Sequence, residues 1–146
     1  MSVEKFSSIF AGLDKAYGVY KIEKANTNGK HVGKATLVNK ERTKKVWEGH
    51  LSGKGMAIGI VPINEDSQCK WGCIDIDEYP LDHKKLLDKI REVELPLVMC
   101  RSKSGGAHVF LFCKDWMSAK DMQDKLKYIA ANLGYGGCEI FPKQIT

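Results

Sequence analysis

With 146 residues, 43% of them hydrophobic and 28% charged, the chain can bury one respectable core and has the ordinary make-up of a soluble globular protein. No apolar run approaches the roughly 20 residues that cross a bilayer, and Met1-Ser2-Val3-Glu4-Lys5 lacks the basic start and apolar stretch of a signal peptide, so a protein inside the cell, with no membrane partner, is expected. The net charge of +5 is unevenly spread: Lys21 to Lys54 holds nine Lys or Arg against three Glu, a local +6, which suits a polyanion or simply makes a solvated lysine-rich surface.

Val3, Phe6, Ile9, Phe10 and Leu13 recur at helical spacing after Ser2, a plausible N-cap, and Gly12 and Gly18 weaken or end the pattern. Tyr17–Ile22 reads as a short strand, Asn26-Thr27-Asn28-Gly29 as a turn and Val32–Val38 as the returning strand of a hairpin. Asn39 is placed to cap a helix running to about Leu51, closed by Gly53 and Gly55. Trp47 and His50, three apart, share one face of it. Core packing is the default for Trp47; the sharper alternative sets that face against a base or a template backbone.

Met56–Ile63 is an apolar strand containing Gly59, and Asn64-Glu65-Asp66-Ser67 turns the chain into an acidic strand, Lys70–Asp77. Asp82 caps a helix whose Leu86, Leu87 and Ile90 face inward and which ends before Pro96. Leu97–Arg101 and Ala107–Cys113 read as a hairpin joined by a Ser/Gly-rich turn. Ser118-Ala119-Lys120-Asp121 resembles a capping box, after which Met122, Leu126, Ile129, Ala130 and Leu133 fall at helical spacing up to Gly134, and Cys138–Phe141 is a last strand. From residue 56 the order is β-β-α-β-β-α-β, an α+β fold with helices on one face of a sheet.

The five cysteines are an odd number, set mostly in apolar runs, and read as reduced buried residues. Cys69 and Cys73 lack the second close pair that a zinc site needs.

Chemistry concentrates in three stretches. Asp75 and Asp77 alternate with Ile74 and Ile76, which on a strand puts both carboxylates on one face. Such a pair is kept where a divalent cation or a shared proton offsets the repulsion, or else it is a solvated acidic end of a strand, since Glu78-Tyr79-Pro80 follows. Arg101, Lys103, Ser104, Gly105 and Gly106 lead into His108 and combine cations with accessible backbone N–H groups, the ingredients of a phosphate site. Glu139 adds a third carboxylate on another strand, and Lys143 a further cation. Three carboxylates holding two divalent ions is an arrangement used for in-line nucleotidyl transfer.

In order and spacing, Asp75-Ile76-Asp77, Ser104-Gly105-Gly106-Ala107-His108 and Glu139-Ile140-Phe141-Pro142-Lys143-Gln144 resemble the archaeo-eukaryotic primase superfamily, and within it the primase-polymerase domains of phages, plasmids and TOTE-like conflict systems. Trp47-Glu48-Gly49-His50-Leu51-Ser52-Gly53 and Ile58-Gly59-Ile60-Val61-Pro62 look like that group as well. The resemblance implies an RRM-like catalytic sheet over residues 56–146 joined to a small basic αβ unit over residues 1–55, as one domain. It implies a nucleotidyltransferase in which Asp75, Asp77 and Glu139 hold two Mg²⁺ or Mn²⁺ ions. His108, Arg101, Lys103 and the Ser104–Gly106 turn would grip an NTP or dNTP, with Lys143 and Gln144 beside it. A single-stranded DNA template would lie over the basic N-terminal part, against Trp47, His50, Lys44 and Lys45. The implied setting is the cytoplasm of a prokaryotic cell or phage-infected host. Family members commonly continue past the third motif, so a truncated or minimal chain is implied, with a replicative helicase or C-terminal accessory domain as its partner. Three rival readings stand beside this one: a metal-dependent nuclease using the same carboxylates, a non-catalytic single-strand-binding replication module, and a structural subunit of a larger replisome in which the carboxylates merely cap a strand.

Overall fold

The computed structural model describes residues 2–25 and 31–146, and the turn expected at Asn26–Gly29 lies outside them. The described residues form α1 (Val3–Ile9), β1 (Tyr17–Ala25), β2 (His31–Val38), α2 (Lys44–Leu51), β3 (Ala57–Gly59), β4 (Gln68–Ile76), α3 (His83–Glu92), β5 (Leu97–Arg101), β6 (Ala107–Ser118), α4 (Ala119–Leu133) and β7 (Glu139–Phe141). Two antiparallel sheets result, one ordered β2-β1-β3 and one ordered β5-β6-β4-β7. The second, with α3 and α4, is the βαββαβ arrangement of an RRM-like sheet, so the expected α+β fold is the observed one.

The core of this unit follows from two periodicities meeting. Ile74 and Ile76 of β4, Val109 and Leu111 of β6 and Ile140 of β7 fall on one face of the sheet and are buried. Met122, Leu126, Ile129, Ala130 and Leu133 form the facing stripe of α4, joined by Leu86 and Ile90 of α3. Burying each of the larger aliphatic side chains stabilises the fold by about 1.5–3 kcal/mol. Leu87, expected to point inward with them, is only half-buried. Both long helices start where the sequence indicates: Asp82 accepts the N–H of Lys85, and Ser118 that of Asp121.

The sheet's other face is covered over half its extent by aromatics. Phe10, just past α1, packs edge-on against Trp71, Phe110 and Phe112 at 5.4–5.6 Å between centroids. Phe6 stands 5.7 Å from Trp47, and the Trp71 indole N–H donates to the Ala11 carbonyl at 2.8 Å. The N-terminal unit therefore caps one end of this face and leaves the end carrying Asp75 open.

Several boundaries differ from expectation. Leu13 lies beyond α1, its N–H donating instead to the Val61 carbonyl at 2.9 Å. The second helix starts after Thr43 rather than Asn39, because Arg42 is tied down outside it. Its N–H donates to the Asp14 carbonyl and its buried guanidinium pairs with Asp14 Oδ1, both at 2.7 Å. The apolar run Met56–Ile63 yields only the three residues of β3, and they pair with β1 rather than with the larger sheet; Pro62 has no N–H to extend a ladder. Strand β4 ends at Ile76, which leaves Asp77 just past it.

Candidate active site

Strand register assembles the site. Asp75 is paired across β4–β6 with His108 and across β4–β7 with Glu139, and His108 is paired with Cys100 on β5. Directly opposed residues project from the same face, so Glu139, Asp75, His108 and Cys100 form one row across four strands. The row faces away from α3 and α4, because alternation commits Ile74, Ile76, Val109 and Ile140 to the helix side. His108 Nε2 stands 3.4 Å from Asp75 Oδ1, with 42% of the histidine and 21% of the aspartate side chain exposed.

Burial, then the charges of Asp77 and Glu139, push the Asp75 carboxyl above the ordinary carboxylate range, against the opposing pull of His108 and Lys143. Two further carboxylates thus act on Asp75 here. The shared strand face expected for Asp75 and Asp77 is not realised, since Asp77 lies on the connection beyond β4. There Asp77 Oδ1 accepts a 2.8 Å hydrogen bond from the Tyr79 hydroxyl.

The β5–β6 turn closes tightly over the end of β4. Ser102 N–H donates to the Gly106 carbonyl at 3.0 Å and Gly105 N–H to the Ser102 carbonyl at 3.1 Å. Gly106 is held so close that a Cβ on it would lie 2.1 Å from the Ile76 carbonyl oxygen, so this position requires glycine. Two side chains that sequence reasoning did not single out brace the turn. Ser104 Oγ is 2.8 Å from the Tyr79 hydroxyl, linking the turn to Asp77, and His83 Nε2 donates to the Gly106 carbonyl at 2.9 Å. Neither had a usable signal, since Tyr79 looks like part of a solvated turn and His83 like the first residue of a capped helix. Lys103 and Ser104 are exposed on the turn. Arg101, exposed as well, is opposed to buried Ala107 and so lies on the helix side of the sheet rather than in the row with His108. This corrects the expectation that the two share the phosphate site.

Lys143 Nζ reaches Glu139 Oε1 at 2.6 Å and lies over the Phe141 ring at 5.1 Å. The segment carrying it is anchored by the Gln123 side-chain amide, which donates to the carbonyls of Pro142 and Lys143 at 3.1 Å. Gln144 is exposed at the end of that segment.

Among the residues expected to meet a template, Trp47 takes the core place. It is 4% exposed, with Phe6 at its edge and the Arg42 guanidinium 5.3 Å over its ring. A base cannot stack on it, which corrects that expectation. His50 turns toward β3, its Nδ1 accepting the Ile58 N–H at 3.3 Å. Lys44 is exposed and pairs with Glu4 at 2.7 Å, and Lys45 is exposed.

Among the described residues, no three His, Cys, Asp or Glu side chains converge on a common point as they stand: Glu139 is turned to Lys143, and Asp77 to Tyr79. The donor set nevertheless fits a hard divalent cation, because the Asp77 and Glu139 carboxylates add to the cost of charging Asp75, which a cation relieves. The cysteines fit a metal poorly. All five are free thiols, and burial pushes Cys69 up to about 11 and Cys73 up to about 12, so neither offers a thiolate near neutral pH.

The model of the TOTE conflict system archaeo-eukaryotic primase domain matches residues 2–135. That span takes in nearly the whole chain, including both aspartates, the glycine turn and His108. No curated protein matches the chain. No helix among the described residues is long and apolar enough to cross a membrane.

Proposed function

We propose, from the premise that the chain belongs to the archaeo-eukaryotic primase domain family of the TOTE conflict system, that it is the catalytic domain of a primase-polymerase. Membership itself carries a nucleotidyl-transfer-related role; template-directed synthesis from NTP or dNTP is the finer reading. The observation that supports it most is the register row Glu139–Asp75–His108 beside the tightly closed glycine turn.

In this reading a strand's 3′-hydroxyl attacks the α-phosphorus of the bound nucleotide. The hydroxyl releases its proton to solvent as the O3′–Pα bond forms, the bond from Pα to the bridging oxygen breaks, and pyrophosphate leaves. Asp75, Asp77 and Glu139 would hold Mg²⁺ or Mn²⁺, which when bound lowers the pKa of the attacking hydroxyl and offsets charge on the leaving group. His108 and Lys103 bind the triphosphate together with the amides of the Ser104–Gly106 turn, so that positioning and fixed charge supply most of the rate. Lys143, released from Glu139, and Gln144 complete the phosphate side. Tyr79 keeps Asp77 oriented, as hydrogen bonds to ligating carboxylates ordinarily do.

The test is incorporation of labelled NTPs and dNTPs on primed and unprimed single-stranded templates, with Mg²⁺ and with Mn²⁺. It is run beside the Asp75→Ala/Asp77→Ala double variant. Activity present in the wild type and lost in the folded variant is expected; activity retained in that variant would falsify the assignment.

A further inference from the structure

The basic N-terminal unit offers a stacking position, though not at the tryptophan its sequence suggests. A groove of about 760 Å³ runs between the β2-β1-β3 sheet and the β5–β6 turn, lined by Tyr20, Lys21, Gly55, Met56, Ala57 and Lys103. Tyr20 and Met56 are large apolar side chains left 42% and 44% exposed. Lys103 stands at the far end, on the turn next to His108, so the groove opens onto the site.

Tyr20 is an exposed platform. Val19 points into the core, so alternation sends Tyr20 to the open face of the sheet. Its ring reaches edge strand β2, where a Cβ on Gly33 would come within 2.0 Å of Tyr20 Cζ. Glycine there leaves room for the ring where it stands, and an aromatic over an edge glycine supports the strand pair. The ring's cross-strand partners are Ala35 and Ala57, and the next row on the same face is Leu37–Gly18–Gly59. The surface around the ring is accordingly shallow on either side.

The two charged side chains that line the groove, Lys21 and Lys103, are both cations and both exposed. They offer an anionic backbone a place between the tyrosine and the turn.

We infer that a single nucleic-acid strand runs through this groove to the site, with one base stacked on Tyr20 and its backbone drawn toward Lys21 and Lys103. A single strand fits better than a duplex, because stacking on an aromatic platform needs a base face that pairing partners leave free. This inference rests on the template-directed reading and says where that template lies.

The test measures binding of a fluorescent oligodeoxythymidine by anisotropy across a salt series, and separately of a fluorescent NTP analogue, to the full chain. Tyr20→Ala should weaken the strand about fivefold or more, the lower edge of what one stacked base contributes, and Tyr20→Phe should restore it. Because Tyr20→Ala also uncovers Gly33 and so threatens the hairpin, Lys21→Gln is a second probe that removes little packing. It should flatten the salt slope by about 0.7, the share of one phosphate of a single strand that a lysine no longer neutralises. Triphosphate binding should be unchanged in all of them. If the wild type binds both probes while these variants bind the strand as tightly and with the same slope, the groove assignment is wrong and the catalytic reading stands. If the wild type binds neither probe, both fall together.

Discussion

Gly106→Ala tests the tight contact between the turn and β4. The added Cβ would sit 2.1 Å from the Ile76 carbonyl oxygen, whereas ordinary contact begins near 3.4 Å. A peptide carbonyl in a strand ladder cannot swing aside as a flexible side chain can, so the turn or the end of β4 must retreat by roughly 1 Å, a displacement that costs about a hundredfold in rate when it separates reacting groups. The retreat also lengthens the bonds that the Gly106 carbonyl accepts from Ser102 and His83. Overpacking of this kind costs about 1–3 kcal/mol. Urea unfolding should therefore show that loss, and nucleotide incorporation should fall about a hundredfold while the protein remains folded. Gly137→Ala, where a Cβ meets nothing within 4 Å, should stay within about 0.5 kcal/mol of wild type. A Gly106→Ala protein as stable and as active as wild type would refute the close approach as the reason for the glycine.

Asp75→Asn should abolish incorporation and yet raise stability at neutral pH. The folded state holds this carboxyl above its unfolded value, chiefly through burial, so its ionisation costs the folded protein more than the unfolded chain. The penalty is present at neutral pH and vanishes as the pH falls through the folded value. The melting temperature of Asp75→Asn should thus exceed that of wild type at pH 7 by an amount that shrinks toward about pH 4, where aspartate ordinarily titrates; a variant less stable at pH 7 would contradict this. Lys143→Ala should change the melting temperature little, since both partners of its ion pair are about half exposed and such pairs are worth about 1 kcal/mol or less. The same change should weaken triphosphate binding several-fold, and unchanged affinity in a titration would remove Lys143 from the phosphate site.

Much of the larger sheet was legible because two periods coincide with clear punctuation. The alternation around Ile74 and Ile76, the α4 stripe from Met122 to Leu133 and the caps Asp82 and Ser118 each act within a few residues, so local reading finds them. The same locality fails around residues 39–63. Nothing near Asn39 shows that Arg42 is committed to Asp14, 28 residues earlier, or that Val61 is claimed by Leu13.

The contrast between Trp47 and Tyr20 has the same origin. Composition makes both candidates for stacking on a base, but exposure is a property of neighbours. Phe6 and Arg42 bury the tryptophan, whereas alternation and Gly33 leave the tyrosine open.

By itself the sequence determined which carboxylates, cations and glycines the chain carries and that Asp75 points away from the apolar face of its strand, because side-chain direction on a strand is a period of two. Tertiary structure alone decided that Glu139, Asp75 and His108 stand in one row, that Tyr79 and His83 brace the turn, and that Trp47 is core. Strand register and burial are set by contacts between segments far apart in the chain, and no local pattern encodes them.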